Sequence, residues 1–137
     1  MTFGDSVSIC LKKYFVFEGR ASRSEYWWFQ LIVTPSYFIS TIFENNISYF
    51  FLGITLFTLI PAISAGVRRL HDTNRSGFFL LIGFIPIIGG IALLFFLIPE
   101  GTKGKNRFGP NPLKKIVKKR NKKKKWNQEE NLLNHHC

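Results

Sequence analysis

Residues Gly77 to Pro99 run for 23 positions without a charged side chain, and seven Lys or Arg residues follow between Lys103 and Lys119. A bilayer core of ~30 Å is crossed by roughly 20 apolar residues rising 1.5 Å each, so a run of this length constrains the chain more than any other feature. Two earlier stretches share its character. Tyr26 to Phe43 gives 18 uncharged residues between Glu25 and Glu44, and Asn45 to Val67 gives 23 between Glu44 and Arg68. Elements of soluble cores are amphipathic, with polar residues returning every three or four positions. Here they do not return. The chain is therefore expected to be an all-α integral membrane protein with segments at about 26–43, 47–67 and 77–99.

Charge is divided as sharply as hydropathy. Residues 100–137 hold 12 Lys/Arg against 3 acids, whereas residues 1–99 hold 7 against 5, so most of the net charge of +11 belongs to the tail. The expected organisation is a membrane domain over 1–112 and a disordered, Lys-rich tail over 113–137. Cys10 and Cys137 lie near opposite ends of the chain and suggest no disulfide framework. Met1 to Arg23 offers neither a short apolar run nor a small-residue cleavage site. The first membrane helix is expected to act as its own uncleaved insertion signal.

Ahead of that helix, residues 5–17 place Val7, Leu11, Tyr14 and Phe15 on one helical face. This reads as a short amphipathic N-terminal helix, suited either to the membrane surface or to packing on the protein's own loops. Ser22-Arg23-Ser24-Glu25 has the pattern of a capping box, which predicts a first spanning helix starting near Arg23. Tyr26, Trp27 and Trp28 follow at the depth amphipathic aromatics prefer. Glu44-Asn45-Asn46 leaves room only for a tight turn, so the first two spans form an antiparallel hairpin. Pro35 and Pro61 predict kinks within it, tolerated where neighbouring groups take up the freed carbonyls. Gly53, Ala62, Ala65 and Gly66 offer small surfaces for close helix contact.

The third segment poses a topological conflict. If each run crosses once, Lys12, Lys13, Arg20, Arg23, Arg68, Arg69 and Arg75 lie on one side of the membrane. Lys103, Lys105, Arg107, Lys114, Lys115, Lys118 and Lys119 then lie on the other. An even division satisfies no positive-inside bias. If 77–99 turns back at Pro86-Ile87-Ile88-Gly89-Gly90, all fourteen face the cytoplasm with the N-terminus. Pro86 removes an amide and the glycines ease a reversal. Each arm would then be only ~14 Å long, and a re-entrant hairpin needs shelter from protein, which implies self-association. A kinked span of ~34 Å is the simpler geometry. The sequence leaves both open.

Three polar motifs punctuate the apolar runs. Phe17-Glu18-Gly19-Arg20-Ala21-Ser22-Arg23-Ser24-Glu25-Tyr26-Trp27-Trp28-Phe29 resembles the opening signature of a bacterial inner-membrane family catalogued as domain of unknown function 805. Val67-Arg68-Arg69-Leu70-His71-Asp72-Thr73-Asn74-Arg75-Ser76-Gly77 resembles its central signature, and Asn106-Arg107-Phe108-Gly109-Pro110-Asn111-Pro112 its closing one. Their order and spacing also match, over roughly residues 10–112. Phe78-Phe79 stands where the family commonly has tryptophans, and the long Lys-rich tail has no counterpart. The resemblance implies a small inner-membrane protein, multi-pass by the runs above, and it implies no established activity.

The candidate site follows from those motifs. Arg20, Arg23, Glu25, Arg68, Arg69, His71, Asp72 and Arg75 fall at membrane-adjacent ends on one side, and Asn106 and Arg107 join them if the third segment turns back. Such a rim suits an anionic headgroup or phosphate, because arginine presents a planar fork to phosphate oxygens. The competing reading is that these charges pair with one another, cap helices and fix orientation. His71-Asp72 invites a general-base reading, but adjacent residues rarely face each other and no nucleophile is fixed nearby. His135-His136-Cys137 supplies metal-ligand types without the spacing of a zinc site.

The three runs carry no Asp, Glu, Lys, Arg or His, which argues against an ion-coupled transporter. Lys114 to Lys125 holds nine basic residues in twelve, a pattern drawn to anionic lipid at ~1 kcal/mol per residue near the surface. Nucleic acid is the second partner class for that run, with little stacking support from Trp126. The expected protein is non-enzymatic, structural or interaction-type, without cofactor or metal. Its Arg-rich cytoplasmic rim contacts anionic lipid or a partner, and it self-associates. The alternative is a headgroup- or phosphate-binding membrane enzyme or carrier using the same rim.

Overall fold

Thr2 and Asp5 close the box that starts the first helix. The Thr2 hydroxyl accepts from the Asp5 amide and the Asp5 carboxylate accepts from the Thr2 amide, both at 3.2 Å, which satisfies two otherwise orphaned groups. The computed structural model describes residues 2–135. Over these the chain is helical and carries no strand, only an isolated bridge between Asn106 and Gly109. The elements are α1 (Phe3–Lys12), α2 (Arg23–Ile42), α3 (Asn46–Asp72), a 3-10 helix (Gly77–Phe84), α4 (Ile88–Leu97) and α5 (Pro112–His135).

Helices α2 and α3 form the expected antiparallel hairpin, with Asn45 as the N-cap of α3, its side chain accepting from the Ile47 and Ser48 amides. With 27 residues α3 is ~40 Å long, and it is long and apolar enough to cross a membrane by length and composition. At α2 the Ser22 hydroxyl caps the Glu25 amide at 3.2 Å. The reciprocal half of the expected capping box is replaced, because the Glu25 carboxylate is turned inward to Arg68.

Helix α1 packs on α2 through Ser6 and Cys10, both buried. The Ser6 hydroxyl donates to the Ser24 carbonyl at 3.2 Å. The helix ends at Lys12, so Tyr14 and Phe15 lie beyond it, and Leu11 is exposed. The buried stripe is therefore small and polar, since only small side chains allow two helices to approach closely. After α1 the chain runs beside α3, where the Ser64 hydroxyl lies 3.1 Å from the Lys13 carbonyl and 2.6 Å from that of Val16.

The third apolar segment folds back on itself. The 3-10 helix and α4 pack together and both pack on α3. At ~2.0 Å per residue the first arm is ~16 Å long, and at 1.5 Å the second is ~15 Å, so the end of α4 returns to the level of the end of α3. The reversal is a γ-turn. Ile87 stands at φ 63° and ψ −62°, and the Ile88 amide donates to the Pro86 carbonyl at 2.7 Å. Two glycines permit the close approach: a Cβ on Gly89 would stand 1.9 Å from the Ile82 carbonyl oxygen, and one on Gly83 would stand 2.7 Å from Leu93 Cδ1. Gly66 likewise admits Leu80, whereas Gly53 faces open space.

The tail departs from expectation. Residues Pro112–His135 form a helix rather than a disordered arm. The Asn111 side chain accepts from the Leu113 amide at 2.9 Å, and Pro112 occupies the first position, where its missing amide costs nothing. Residues 113–135 contain no Gly or Pro, and Lys, Arg, Gln, Glu and Leu are strong helix formers. Like-charge density misled the sequence reading, because exposed lysines on every face are compatible with a solvated helix. His136 and Cys137 lie outside the described residues.

Candidate functional site

Arginines close the polar end of the bundle. Arg20, in the bend between α1 and α2, is buried. Its Nε donates to Asp72 Oδ1 at 2.8 Å, Nη1 to the Gly104 carbonyl at 2.6 Å and Nη2 to the Thr102 carbonyl at 2.6 Å. One side chain thus ties the end of α3 to the segment that follows α4. Asp72 is shared: its other oxygen accepts from Arg69. Arg69 reaches further, with Nε donating to the Leu97 carbonyl at 3.0 Å and Nη2 to the Pro99 carbonyl. The last carbonyls of a helix have no intrahelical partner, and here a guanidinium from α3 satisfies those at the end of α4. Arg68 points to the other side, paired with Glu25 of α2.

All four of these side chains besides Arg20 (Glu25, Arg68, Arg69, Asp72) are at least nine-tenths buried. Buried charges hold such positions only when paired and further hydrogen-bonded; Arg20 and Arg69 meet that condition through backbone carbonyls, whereas Arg68 is paired with Glu25 alone. Burial pushes the Arg69 guanidinium below its usual pKa, with Asp72 acting against it. The chemistry is that of a clamp. The forks of Arg20 and Arg69, suited to a phosphate from sequence, are spent on Asp72 and backbone oxygens, and Arg68 gives one nitrogen to Glu25.

The remaining candidates arrange themselves around the knot. His71 is half-buried, and its ring stacks on Phe108 with centroids 3.8 Å apart and planes 3° from parallel. Its Nδ1 donates to the Gly19 carbonyl at 3.1 Å, not to Asp72, so no oriented His–Asp pair forms. Burial lowers its pKa, opposed by the Gly19 contact and aided by the nearby Arg107 charge. Asn106 donates to the His71 carbonyl at 2.8 Å, and Arg107 to the Asn74 carbonyl at 3.2 Å. Arg75 lies over the Phe96 ring at 4.2 Å. Arg23 is exposed and pairs with Glu100 at 2.7 Å. All ten residues thus gather at one end of the bundle, five of them buried.

Sequence reasoning missed the acceptors. Thr102, Gly104 and Gly109 contribute through their carbonyls, which no side-chain pattern reveals. Gly101 has a readable signal in retrospect: a Cβ there would stand 1.9 Å from Asp72 Oδ2. Asn74 closes α3 in a Schellman arrangement, at φ 61°, with Arg75 N–H on the Leu70 carbonyl at 2.9 Å and Asn74 N–H on that of His71 at 3.0 Å. Asparagine tolerates that left-handed position.

Comparison with known proteins follows the same three motifs. A family profile described as "Protein of unknown function (DUF805)" matches residues 14–110. The inner membrane protein YhaI of Escherichia coli is 42% identical over 106 residues, covering 74% of this chain and 90% of the relative. The inner membrane protein YhaH of the same organism is 37% identical over 112 residues, covering 74% and 91%. No solved structure gives a significant match.

Proposed function

The chain belongs to the DUF805 family of proteins of unknown function, and from that premise we propose a non-enzymatic inner-membrane protein of the structural or interaction type. In this reading α2 and α3 span, 77–99 re-enters from the cytoplasmic side, and both chain ends are cytoplasmic. One observation carries it: Arg69, at the end of α3, holds the carbonyls of Leu97 and Pro99, so both ends of the third segment sit at one level. All fourteen basic residues flanking the segments then share the cytoplasmic side, as the positive-inside bias requires. The buried clamp fixes the head, and the exposed lysines of α5 engage anionic lipid. Apolar side chains on the hairpin tip, among them Phe84, Ile87 and Ile88, face lipid or a second copy.

Two measurements test this reading. Cys137 is expected to react with a membrane-impermeant thiol reagent only after the cells are permeabilised, and labelling of intact cells overturns the topology. In a Trp27→Phe, Trp28→Phe background, Trp126 emission is expected to shift to the blue in vesicles containing anionic lipid and to return at high salt, where surface electrostatics are screened. A shift produced by RNA without membranes would replace lipid by nucleic acid as the partner.

A headgroup-binding enzyme or carrier using the rim itself is the second reading. What favours it is Arg68, whose Nε and Nη2 are buried without an acceptor among the described residues.

A further inference from the structure

Two cavities meet at Arg23 and Ser24. The first, of about 320 Å³, lies between the start of α2 and the segment after α4, with the charged groups of Arg23, Glu100 and Lys103 and the side chains of Ser22, Asn111 and Leu113 on its walls. The second, of about 430 Å³, is an apolar groove that continues down α2 along Trp27, Trp28 and Leu31. From Arg23 to Leu31 the helix rises ~12 Å, from the headgroup level into the hydrocarbon, with the tryptophans at the interface where they are favoured. A chamber carrying charged side chains that shares Arg23 and Ser24 with an apolar groove repeats the order of a phospholipid, charged head then apolar chain.

The charges narrow the headgroup. Asp72 touches the first cavity but is already held by Arg20 and Arg69. That leaves Arg23, Lys103 and Glu100, two cations and one anion. We propose that the paired cavities at Arg23 bind one aminophospholipid, with its phosphate between Arg23 and Lys103, its primary ammonium on Glu100, and the start of an acyl chain along Trp27, Trp28 and Leu31. The Arg23–Glu100 pair must open to admit the headgroup. With side chains 48% and 70% exposed it costs little to open, since surface pairs contribute about 1 kcal/mol or less. With Arg23 and Lys103 taken up by the phosphate, a headgroup without an amine would leave Glu100 with no cation to replace Arg23. The site therefore selects zwitterionic amine-bearing lipid, in contrast to the anionic lipid sought by α5. This inference rests on the proposed placement of the α2 N-terminus at the cytoplasmic interface.

The test is native mass spectrometry of the full chain, released from detergent with equimolar dioleoyl phosphatidylethanolamine, phosphatidylglycerol and phosphatidylcholine. One phosphatidylethanolamine is expected to be retained with about tenfold preference, the scale of one charge-assisted hydrogen bond. Glu100→Gln is expected to abolish the preference while leaving total retention, and Arg23→Ala to lower retention of all three lipids. Trp28→Ala is expected to weaken retention without changing selectivity. Equal retention of the three lipids, a preference for phosphatidylglycerol, or an unchanged preference in Glu100→Gln overturns the proposal. So does displacement of the lipid by free phosphoethanolamine as effectively as by a short-chain phosphatidylethanolamine, since the groove would then contribute nothing. The variants lie at exposed positions, and unchanged melting temperatures confirm that they fold. Loss of selectivity with the Trp126 shift intact removes this site and leaves the proposed function standing.

Discussion

The Tyr14 hydroxyl donates to the Phe57 carbonyl at 2.6 Å, and that carbonyl is the one Pro61 leaves free, four residues further along α3. A proline inside a helix removes the amide that would bond the carbonyl one turn back. In this chain a tyrosine from the bend after α1 supplies the missing donor, and its ring rests against that of Phe57, centroids 5.6 Å apart. The proline within α3 and the docking of the N-terminal segment are thus one feature.

Tyr14→Phe is expected to destabilise the protein by about 1 kcal/mol, the net value of an ordinary hydrogen bond. In a Pro61→Ala background the helix regains its own amide, so the same substitution is expected to cost clearly less. Thermal melting of the four proteins in detergent provides the cycle, and equal costs in both backgrounds would refute the coupling.

Asp72 is the common acceptor of Arg20 and Arg69. Asp72→Ala strands two buried cations and is expected to cost about 3–5 kcal/mol, as when a buried ion pair loses one partner. Gly101→Ala acts on the same carboxylate by displacing it. Both variants are expected to lose cellular abundance and melting temperature together. Normal abundance with the Asp72→Ala chain would show that the clamp does not hold the head.

Acidification acts through His71. Its pKa is lowered on folding, so below about 6.5 the unfolded chain takes up a proton more readily than the folded one. The stability this group contributes is present above that pH and is lost as the pH falls through the folded value. A melting temperature that declines between pH 7 and 5, and declines less in His71→Gln, is the expected result. Superimposable profiles for the two proteins would exclude the imidazole.

The reversal of the third segment depends on Gly89 and Ile87. Gly89→Ala drives a methyl group into the Ile82 carbonyl and is expected to open the hairpin, read as new accessibility of a cysteine placed at Leu80, which packs against Gly66 in the closed form. Ile87→Gly relieves a left-handed β-branched residue and is expected to raise the melting temperature. A lower value would show that the side chain, not the turn, dominates at that position.

Hydropathy, helix starts and turns are local properties, and the sequence determined them. The three uncharged runs, the Asn45 turn between α2 and α3 and the start of α2 at Arg23 all follow from residues within a few positions of one another. The family was legible for the same reason, through three contiguous motifs. The direction of 77–99 was not legible. A proline and two glycines permit either a kink or a reversal, and the choice lies in whether Leu97 and Pro99 find a partner, which Arg69 provides from 28 and 30 residues away. The fate of the rim was hidden likewise. Arg20, Arg68 and Arg69 have the chemistry to bind phosphate until the fold delivers Asp72, Glu25 and the carbonyls of 102–109, and only tertiary structure decides which acceptor lies within 3 Å of a guanidinium.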